Sequence, residues 1–172
     1  MNIIKAKLIE KIKRTPTVMS FRFLPEKKVN FIAGQSLQFI FDRTDMNNRE
    51  LNKFISFSSS PTKEYFEITK RLSDSAFSSK LKNLNLNDEV EFNAPLGNCV
   101  LDEKKKKILF LIGGIGITPV ISITEYIIDK KIPIDIILLY SNKTEEEIAF
   151  KKELENWGKN KNIKIFFIIT DA

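Results

Sequence analysis

The hydrophobic periodicity of this chain changes near residue 102, and that change constrains the fold more than any other feature. Up to about residue 100, short apolar runs are separated by turn-rich gaps and predict six strands. Residues 73–84 carry apolar side chains at helical spacing and predict one short helix. Six strands with a single helix predict an N-terminal six-stranded antiparallel β-barrel.

Beyond residue 107 the periodicity lengthens. Three continuous apolar runs, residues 107–112, 134–141 and 163–170, predict parallel strands buried on both faces. Residues 118–130 and 144–158 predict the intervening helices, the second starting with a capping box of Thr144 and Glu147. The βαβαβ order is typical of half a doubly wound parallel, Rossmann-like sheet. We therefore predict two domains, residues 1–101 and 102–172, and expect the second to be truncated because three doubly buried strands form a small sheet.

The composition excludes several kinds of chemistry. The chain has no histidine and one cysteine, Cys99, which excludes a disulfide, an iron–sulfur cluster or a cysteine zinc site within it. A single cysteine favours a reducing, cytoplasmic compartment. The apolar runs are too short to predict a transmembrane segment. The net charge of +6 raises the possibility of nucleic-acid binding, but aromatic and basic residues do not alternate on any predicted face, so we predict no nucleic-acid partner.

A glycine-rich corner connects the first parallel strand to its helix. Gly113, Gly114 and Gly116 lie at the carboxyl end of that strand, where bare backbone at a helix N-terminus can receive a pyrophosphate. The pattern departs from the G-x-G-x-x-G fingerprint, because Pro119 occupies the position of the last glycine. A dinucleotide cradle and a simple tight corner are both compatible with the glycines alone.

Five segments taken together resemble one family. In chain order they are "KFISFSSSP", "SAFSSKL", "APLGN", "GGIGITP" and "LLYSNKTEEEIAFKKEL". They resemble the flavin motif, the flavin-pyrophosphate segment, the barrel-closing turn, the nicotinamide-nucleotide motif and the second strand and helix of the nucleotide domain in the ferredoxin–NADP reductase superfamily. The resemblance extends from about residue 3 to residue 172.

The resemblance implies a flavin site in the barrel. Ser56 takes the position that hydrogen-bonds near flavin N5, where hydride arrives, and is the predicted catalytic residue. Lys53 stands in place of the family's phosphate-binding arginine, and Ile55 in place of the aromatic residue that covers the flavin ring. Arg71 is the predicted substitute for the missing guanidinium fork. The full set of predicted flavin contacts is Lys53, Phe54, Ile55, Ser56, Thr69, Lys70, Arg71, Ser75, Ala76, Phe77 and Ser78.

The resemblance also implies a nicotinamide-nucleotide site in the second half. Its predicted residues are Gly113, Gly114, Gly116, Thr118, Ser141, Asn142 and Lys143. Thr118 either caps the helix or lies near the contact between nicotinamide and flavin. Lys143 is a candidate for the 2′-phosphate of NADP, yet residues 102–172 hold no arginine, which favours NAD slightly. The chain lacks the family's C-G-P-x motif.

The implied function is a flavin-dependent oxidoreductase. Hydride would pass from NAD(P)H to bound FAD, and electrons would then pass to an unidentified acceptor protein or domain. FAD is favoured over FMN because the pyrophosphate segment is present. The alternative is a non-catalytic flavin- or nucleotide-binding regulatory module.

Overall fold

The first half of the chain folds as the predicted antiparallel barrel. The computed structural model describes residues 2–171. Six strands form one sheet in the order β4-β3-β6-β1-β2-β5, and every neighbouring pair is antiparallel. An isolated bridge between Phe57 and Ile68 brings the two edge strands together. The strands are β1 (Ile3–Lys13), β2 (Val18–Pro25), β3 (Ser36–Ile40), β4 (Asn52–Ser56), β5 (Phe66–Arg71) and β6 (Glu89–Leu96).

Phenylalanine rings fill the barrel, because alternate residues of each strand face inward. The rings of Phe23, Phe39 and Phe92 pack edge to face, with centroids 4.6–5.8 Å apart. Helix α1 (Ala76–Asn83) closes one end of the barrel with Phe77 and Leu81, both fully buried. This packing fixes the start of α1 beside the edge strands.

The second half folds as the predicted βαβαβ unit. Strands β7 (Lys107–Gly113), β8 (Asp135–Asn142) and β9 (Ile163–Ile169) form a parallel sheet in chain order. A 3₁₀ turn (Gly114–Ile117) leads into α2 (Thr118–Lys130), which carries Pro119 in its first turn, where proline is tolerated. Helix α3 (Lys151–Trp157) follows β8. The predicted domain boundary falls in the interval between β6 and β7.

The prediction that these parallel strands are buried on both faces is wrong for the described residues. Leu138 and Tyr140 of β8 pack against both helices, so α2 and α3 cover the same face. Right-handed crossovers between strands in sequential order place successive helices on one side. On the other face Leu111 of β7 is 68% exposed and Phe166 of β9 is 52% exposed.

The predicted capping box at Thr144 does not form. Thr144 makes no side-chain capping bond, and residues Glu145–Glu147 form a separate 3₁₀ turn. Phe150 adopts a left-handed conformation with φ 60°, which interrupts the helical path and delays α3 until Lys151. The side chain of Glu147 points to the barrel instead, where it contacts Thr17 and Arg71.

The two halves are joined along α2. The hydroxyl of Ser122 donates to the carbonyl oxygen of Ser59 at 2.8 Å, and Glu125 accepts the N–H of Ser60 at 2.6 Å. Val18 of β2 belongs to the same buried cluster as Ile117 and other residues of the α/β half. Polar and apolar contacts therefore hold the glycine turn beside the ends of β2 and β5. No helix within residues 2–171 has the length and apolar character needed to span a membrane.

Candidate functional site

Two lysines lie on the edge strands of the barrel and are close enough for their charges to interact. Lys53 lies on β4 and Lys70 on β5. The pKa of Lys70 is lowered by burial and, secondly, by the positive charge of Lys53. The ammonium of Lys70 donates to the carbonyl oxygen of Arg71 at 3.2 Å and lies 5.9 Å from the centre of the Phe77 ring. The ammonium of Lys53 donates to the Arg49 carbonyl oxygen. Like charges repel each other, and an anion bound near both lysines would relieve that repulsion.

Three serine hydroxyls gather at the start of α1. Ser75 is the N-cap, and its oxygen accepts the N–H of Ser78 at 3.3 Å. The hydroxyls of Ser75 and Ser78 lie 3.1 Å apart, and that of Ser73 lies 3.3 Å from Ser78. Ala76 and Phe77 supply the first helical N–H groups, which have no partner within the helix. These donors and the helix dipole make this end of α1 suitable for a phosphate.

A cavity lies beside this helix end, and its volume and lining residues can be compared with what FAD requires. Its volume is about 630 Å³, within the range of small-molecule sites. Its lining combines serines and apolar residues with two lysines, Lys13 and Lys82, and one carboxylate, Asp74. Lys53 and Lys70 lie outside this lining. Within residues 2–171 their ammonium groups donate to the carbonyl oxygens of Arg49 and Arg71 rather than to a carboxylate. Positive charge, serine hydroxyls and free helix N–H groups match the diphosphate of a dinucleotide, so the residues present fit FAD.

The remaining β4 residues are divided between the two faces of the strand. Ile55 is half-buried and packs against the barrel core, whereas Phe54 is 71% exposed. Ser56 ends β4, pairs in register with Ser36 and is partly accessible. Ile55 therefore directs much of its side chain to the barrel, and the exposed aromatic ring of this motif belongs to Phe54.

Thr69 and Arg71 face away from Lys70, since side chains alternate along a strand. The hydroxyl of Thr69 is buried between those of Ser20 and Ser58, at 2.6 and 2.7 Å. The guanidinium of Arg71 pairs with Glu147 across the junction between the two sheets. The structure thus places Arg71 toward the α/β half rather than beside the lysines.

The glycine turn has one residue that requires glycine for its backbone conformation. Gly114 has φ +49°, a region that residues with a Cβ rarely adopt. A Cβ on Gly116 would meet only Ile112 Cγ2, at 3.7 Å, and one on Gly113 only the Ser141 carbonyl oxygen, at 3.9 Å. Neighbouring protein atoms therefore leave space at Gly113 and Gly116, as a cradle for a ligand requires.

Thr118 does not cap the helix. It is the first residue of α2, and its hydroxyl donates to the Ile115 carbonyl oxygen at 3.3 Å. The N-cap is Ile117, which has no side-chain acceptor. Of the two roles considered for Thr118, proximity to the nicotinamide stays a prediction.

The three residues predicted near the adenosine ribose end β8 and begin the next turn. Ser141 and Lys143 flank Asn142, which is only 4% exposed. Neither the oxygen nor the nitrogen of the Asn142 side-chain amide makes a hydrogen bond of normal geometry within residues 2–171. An unpaired buried amide is costly and therefore uncommon in a native fold. The structure places it near Tyr140, whose hydroxyl donates to the Gly114 carbonyl oxygen at 3.0 Å.

A buried ion network was missed at the sequence level. Glu67 of β5 is 2% exposed, and Arg14 approaches both its oxygens at 3.1 Å, while Arg22 Nε lies 2.9 Å away. Arg14 also pairs with Glu153 of α3 and lies over the Phe150 ring, 4.3 Å from its centre. An acidic residue inside the apolar strand "FEI" was the available signal, since a buried carboxylate must be paired. This network links the barrel to α3.

The fold and the glycine turn are similar to those of nucleotide-binding domains of oxidoreductases. Residues 110–171 match the family described as Oxidoreductase NAD-binding domain. The chain superposes on ferredoxin–NADP⁺ reductase from Plasmodium falciparum with a TM-score of 0.86 and 22% identity, covering 99% of this chain and 72% of that one. It superposes on the cytochrome b5 reductase domain of Ulva prolifera nitrate reductase with a TM-score of 0.81 and 24% identity, covering 98% and 73%.

Sequence relatives agree with the structural comparison. The chain is 32% identical over 152 residues to the glycine betaine monooxygenase reductase subunit of Chromohalobacter salexigens, covering 86% of this chain and 41% of that protein. It is 30% identical over 166 residues to the flavohemoprotein of Bacillus subtilis, covering 94% and 41%. The chain thus spans about two fifths of the length of these curated relatives. Together these matches support a relationship with the ferredoxin–NADP reductase superfamily.

Proposed function

We propose that this chain forms the flavin- and nicotinamide-nucleotide-binding unit of an FAD-dependent NAD(P)H oxidoreductase. The observation that carries the proposal is the end of β5. Its consecutive residues Lys70 and Arg71 point to opposite faces, one toward the serine-capped start of α1 and the other toward the glycine turn. One strand end therefore contributes positive charge to two separate phosphate-type sites that meet at the junction of the two sheets.

In this proposal the barrel holds FAD. Lys53 and Lys70 neutralise its diphosphate, and the N–H groups of Ala76, Phe77 and Ser78 donate to it with the Ser75 and Ser78 hydroxyls. Ser56 donates near flavin N5. Phe54 and Ile55 lie on opposite faces of β4, so one of them contacts the ring system. The bound flavin supplies the hydride-accepting and electron-transferring chemistry, while the chain supplies position and electrostatics. FAD is preferred over FMN because the α1 site is suited to a second phosphate.

The α/β half binds NAD(P)H in the same proposal. The backbone at Gly113, Gly114 and Gly116 receives the nucleotide pyrophosphate, and Thr118 lies toward the nicotinamide. Ser141, Asn142 and Lys143 at the end of β8 approach the adenosine ribose. Residues 102–172 contain no arginine to grip a 2′-phosphate bidentately, which favours NADH over NADPH.

The electron acceptor is proposed to be another redox protein or domain. Two relatives support this class of partner by name, one a reductase subunit of a monooxygenase and the other a flavohemoprotein. Rigid contacts between α2 and the barrel, such as Ser122 with Ser59, support a fixed distance between the nucleotide and flavin sites. Fixed geometry is what hydride transfer between two bound groups requires.

The test is a cofactor titration followed by anaerobic reduction. We expect the purified protein to be yellow, or to bind added FAD more tightly than FMN, read from the flavin absorption and fluorescence. NADH or NADPH should then bleach the bound flavin. A protein that binds neither flavin would refute the proposal. Reduction by dithionite but not by either nucleotide would favour the alternative, a flavin-binding regulatory module.

A further inference from the structure

An ion pair bridges the two sheets next to the glycine turn. Arg71 ends β5, and its Nη1 pairs with the carboxylate of Glu147 and donates to the Thr17 hydroxyl at 2.8 Å. Thr17 in turn donates to Glu147 at 3.1 Å. These three residues come from the barrel and from the turn after β8. The pair therefore connects the two halves at the mouth of the predicted nucleotide site.

The guanidinium also faces the glycine turn directly. A Cβ built on Gly114 would lie 3.9 Å from Arg71 Nη2. Within residues 2–171 that nitrogen has no hydrogen-bond acceptor, because the bonds of the Arg71 side chain to Thr17 and Glu147 use Nη1. Arg71 therefore presents a free pair of N–H hydrogens to the place where the backbone leaves room for a ligand. A guanidinium is suited to bind two oxygens of one phosphate.

The ion pair is not needed to hold the two halves together. Val18, beside Thr17, is buried in the cluster that includes Ile117 and Ile121, and Ser122 is hydrogen-bonded to Ser59. The side chains of Arg71 and Glu147 are 41% and 19% exposed, and salt weakens an ion pair that water reaches on one side. A partner that offers two charged oxygens can displace Glu147 from Arg71.

We propose that Arg71 exchanges Glu147 for a phosphate of the nicotinamide nucleotide, so that Glu147 acts as a built-in competitor that sets nucleotide affinity. This inference rests on the proposed function and adds to it a residue from the barrel half. In the free protein Glu147 neutralises Arg71 and keeps it oriented toward the glycine turn. When a nucleotide phosphate binds Arg71, Glu147 is released. The phosphate then contacts both Arg71 of the barrel half and the glycine turn of the α/β half.

The experiment measures binding directly, with FAD added in excess. Isothermal titration with NAD⁺ and with inorganic pyrophosphate is carried out on the wild type, Arg71→Gln, Glu147→Gln and the double variant. We expect Arg71→Gln to lower the affinity for both ligands about 10- to 100-fold, the range of a charge-assisted phosphate contact. Glu147→Gln should tighten both about two- to fivefold, the range of a partly exposed ion pair. The double variant should bind like Arg71→Gln, because without Arg71 there is nothing for Glu147 to compete for.

A matched pair controls for general electrostatics. Arg43 and Glu91 form a similar ion pair on the barrel, at 2.7 Å, and Arg43→Gln and Glu91→Gln should leave both affinities unchanged. Opposite shifts in Arg71→Gln and Glu147→Gln support the exchange. Shifts in the same direction, no shift, or a wild type that binds neither NAD⁺ nor pyrophosphate would overturn it. Failure of the proposed function is read separately, from loss of FAD binding or of flavin reduction in the wild type.

Discussion

The hydroxyl of Ser122, in the middle of α2, donates to the carbonyl oxygen of Ser59 in the barrel at 2.8 Å. The Ser122 hydroxyl oxygen also accepts the N–H of Gly34, with 3.4 Å between nitrogen and oxygen, and Ser122 is fully buried. One small polar side chain thus satisfies backbone groups of the barrel from within the other half. The contact fixes α2, and with it the glycine turn, against the barrel half.

The first prediction concerns this contact. Ser122→Ala leaves the Ser59 carbonyl without its donor in a buried position, so we expect the free energy of unfolding to fall by about 1–3 kcal/mol. Urea denaturation followed by circular dichroism measures the change. Ser79→Ala, at an exposed serine of α1, is the control and should fall within about 0.5 kcal/mol of the wild type. Equal stability of Ser122→Ala and the control would contradict the structural role of this bond.

The second prediction separates the two glycines of the turn. Gly114→Ala places a Cβ on a residue with φ +49° and should cost about 1–2 kcal/mol of stability. Gly116→Ala meets no atom closer than 3.7 Å, so the fold should keep its stability and its flavin. The added methyl group should nevertheless obstruct the nucleotide. Stopped-flow reduction by NADH should therefore slow in Gly116→Ala, while reduction by dithionite stays at the wild-type rate.

Two other results for Gly116→Ala are informative. Reduction by NADH at the wild-type rate would mean that the turn is only a tight corner between β7 and α2. Loss of the flavin as well would mean that Gly116 serves packing between the halves.

The third prediction concerns Lys53 and Lys70. The charge of Lys53 helps to lower the pKa of Lys70, after burial, so the pair is unfavourable in the free protein. The melting temperature of FAD-free Lys53→Met should equal or exceed that of the wild type. The same variant should bind FAD more weakly, by about 1–3 kcal/mol of binding free energy. Lys53→Arg keeps the positive charge and adds the paired N–H donors of a guanidinium, so this variant should bind FAD at least as tightly as the wild type. Fluorescence titration and thermal denaturation read the two effects, and unchanged FAD affinity in Lys53→Met would refute the assignment of β4 to the flavin.

The fourth prediction is a pH dependence located in the turn between β3 and β4. Hydrogen bonds from Thr44 and Asn48, with backbone N–H groups of the turn, lower the pKa of Asp42 to about 2. A carboxyl whose pKa is lower in the folded than in the unfolded state stabilises the fold above its unfolded pKa, and that stability is lost as the pH falls through the folded pKa. The melting temperature should therefore decline between about pH 4 and pH 2.

Asp42→Asn should flatten this decline, because the asparagine amide does not titrate. Asp135→Asn, at an exposed carboxylate that starts β8, is the control and should keep the wild-type slope. If both variants follow the wild-type curve, Asp42 does not contribute to the acid sensitivity.

Much of the fold could be predicted from local patterns. In the first half, apolar residues at every second position predict the six barrel strands, and apolar residues at helical spacing predict α1. In the second half, continuous apolar runs predict the strands of the βαβαβ unit. The serine cluster at the start of α1 and the glycine turn after β7 could also be located, because capping residues and glycines act on their own backbone. These features depend on interactions within a few residues, which the local sequence contains.

Features that depend on distant residues could not be predicted in this way. The capping box at Thr144 has the right local pattern, but Glu147 contacts Arg71, 76 residues away in the chain, and the helix starts later. Burial of β7 and β9 on one face depends on where both crossover helices lie. The pairing of Glu67 with Arg14 and Arg22 depends on strand register.

The sequence by itself therefore determined most of the elements, their order and the positions of the serine cluster and the glycine turn. Only the tertiary structure decided which neighbours those sites have. Alternation along β5 directs Lys70 toward α1, and the packing of α2 on the barrel brings Arg71 beside Gly114 and Glu147. The physical reason is that a side chain's direction follows from its own strand, whereas its partner follows from the packing of the whole molecule.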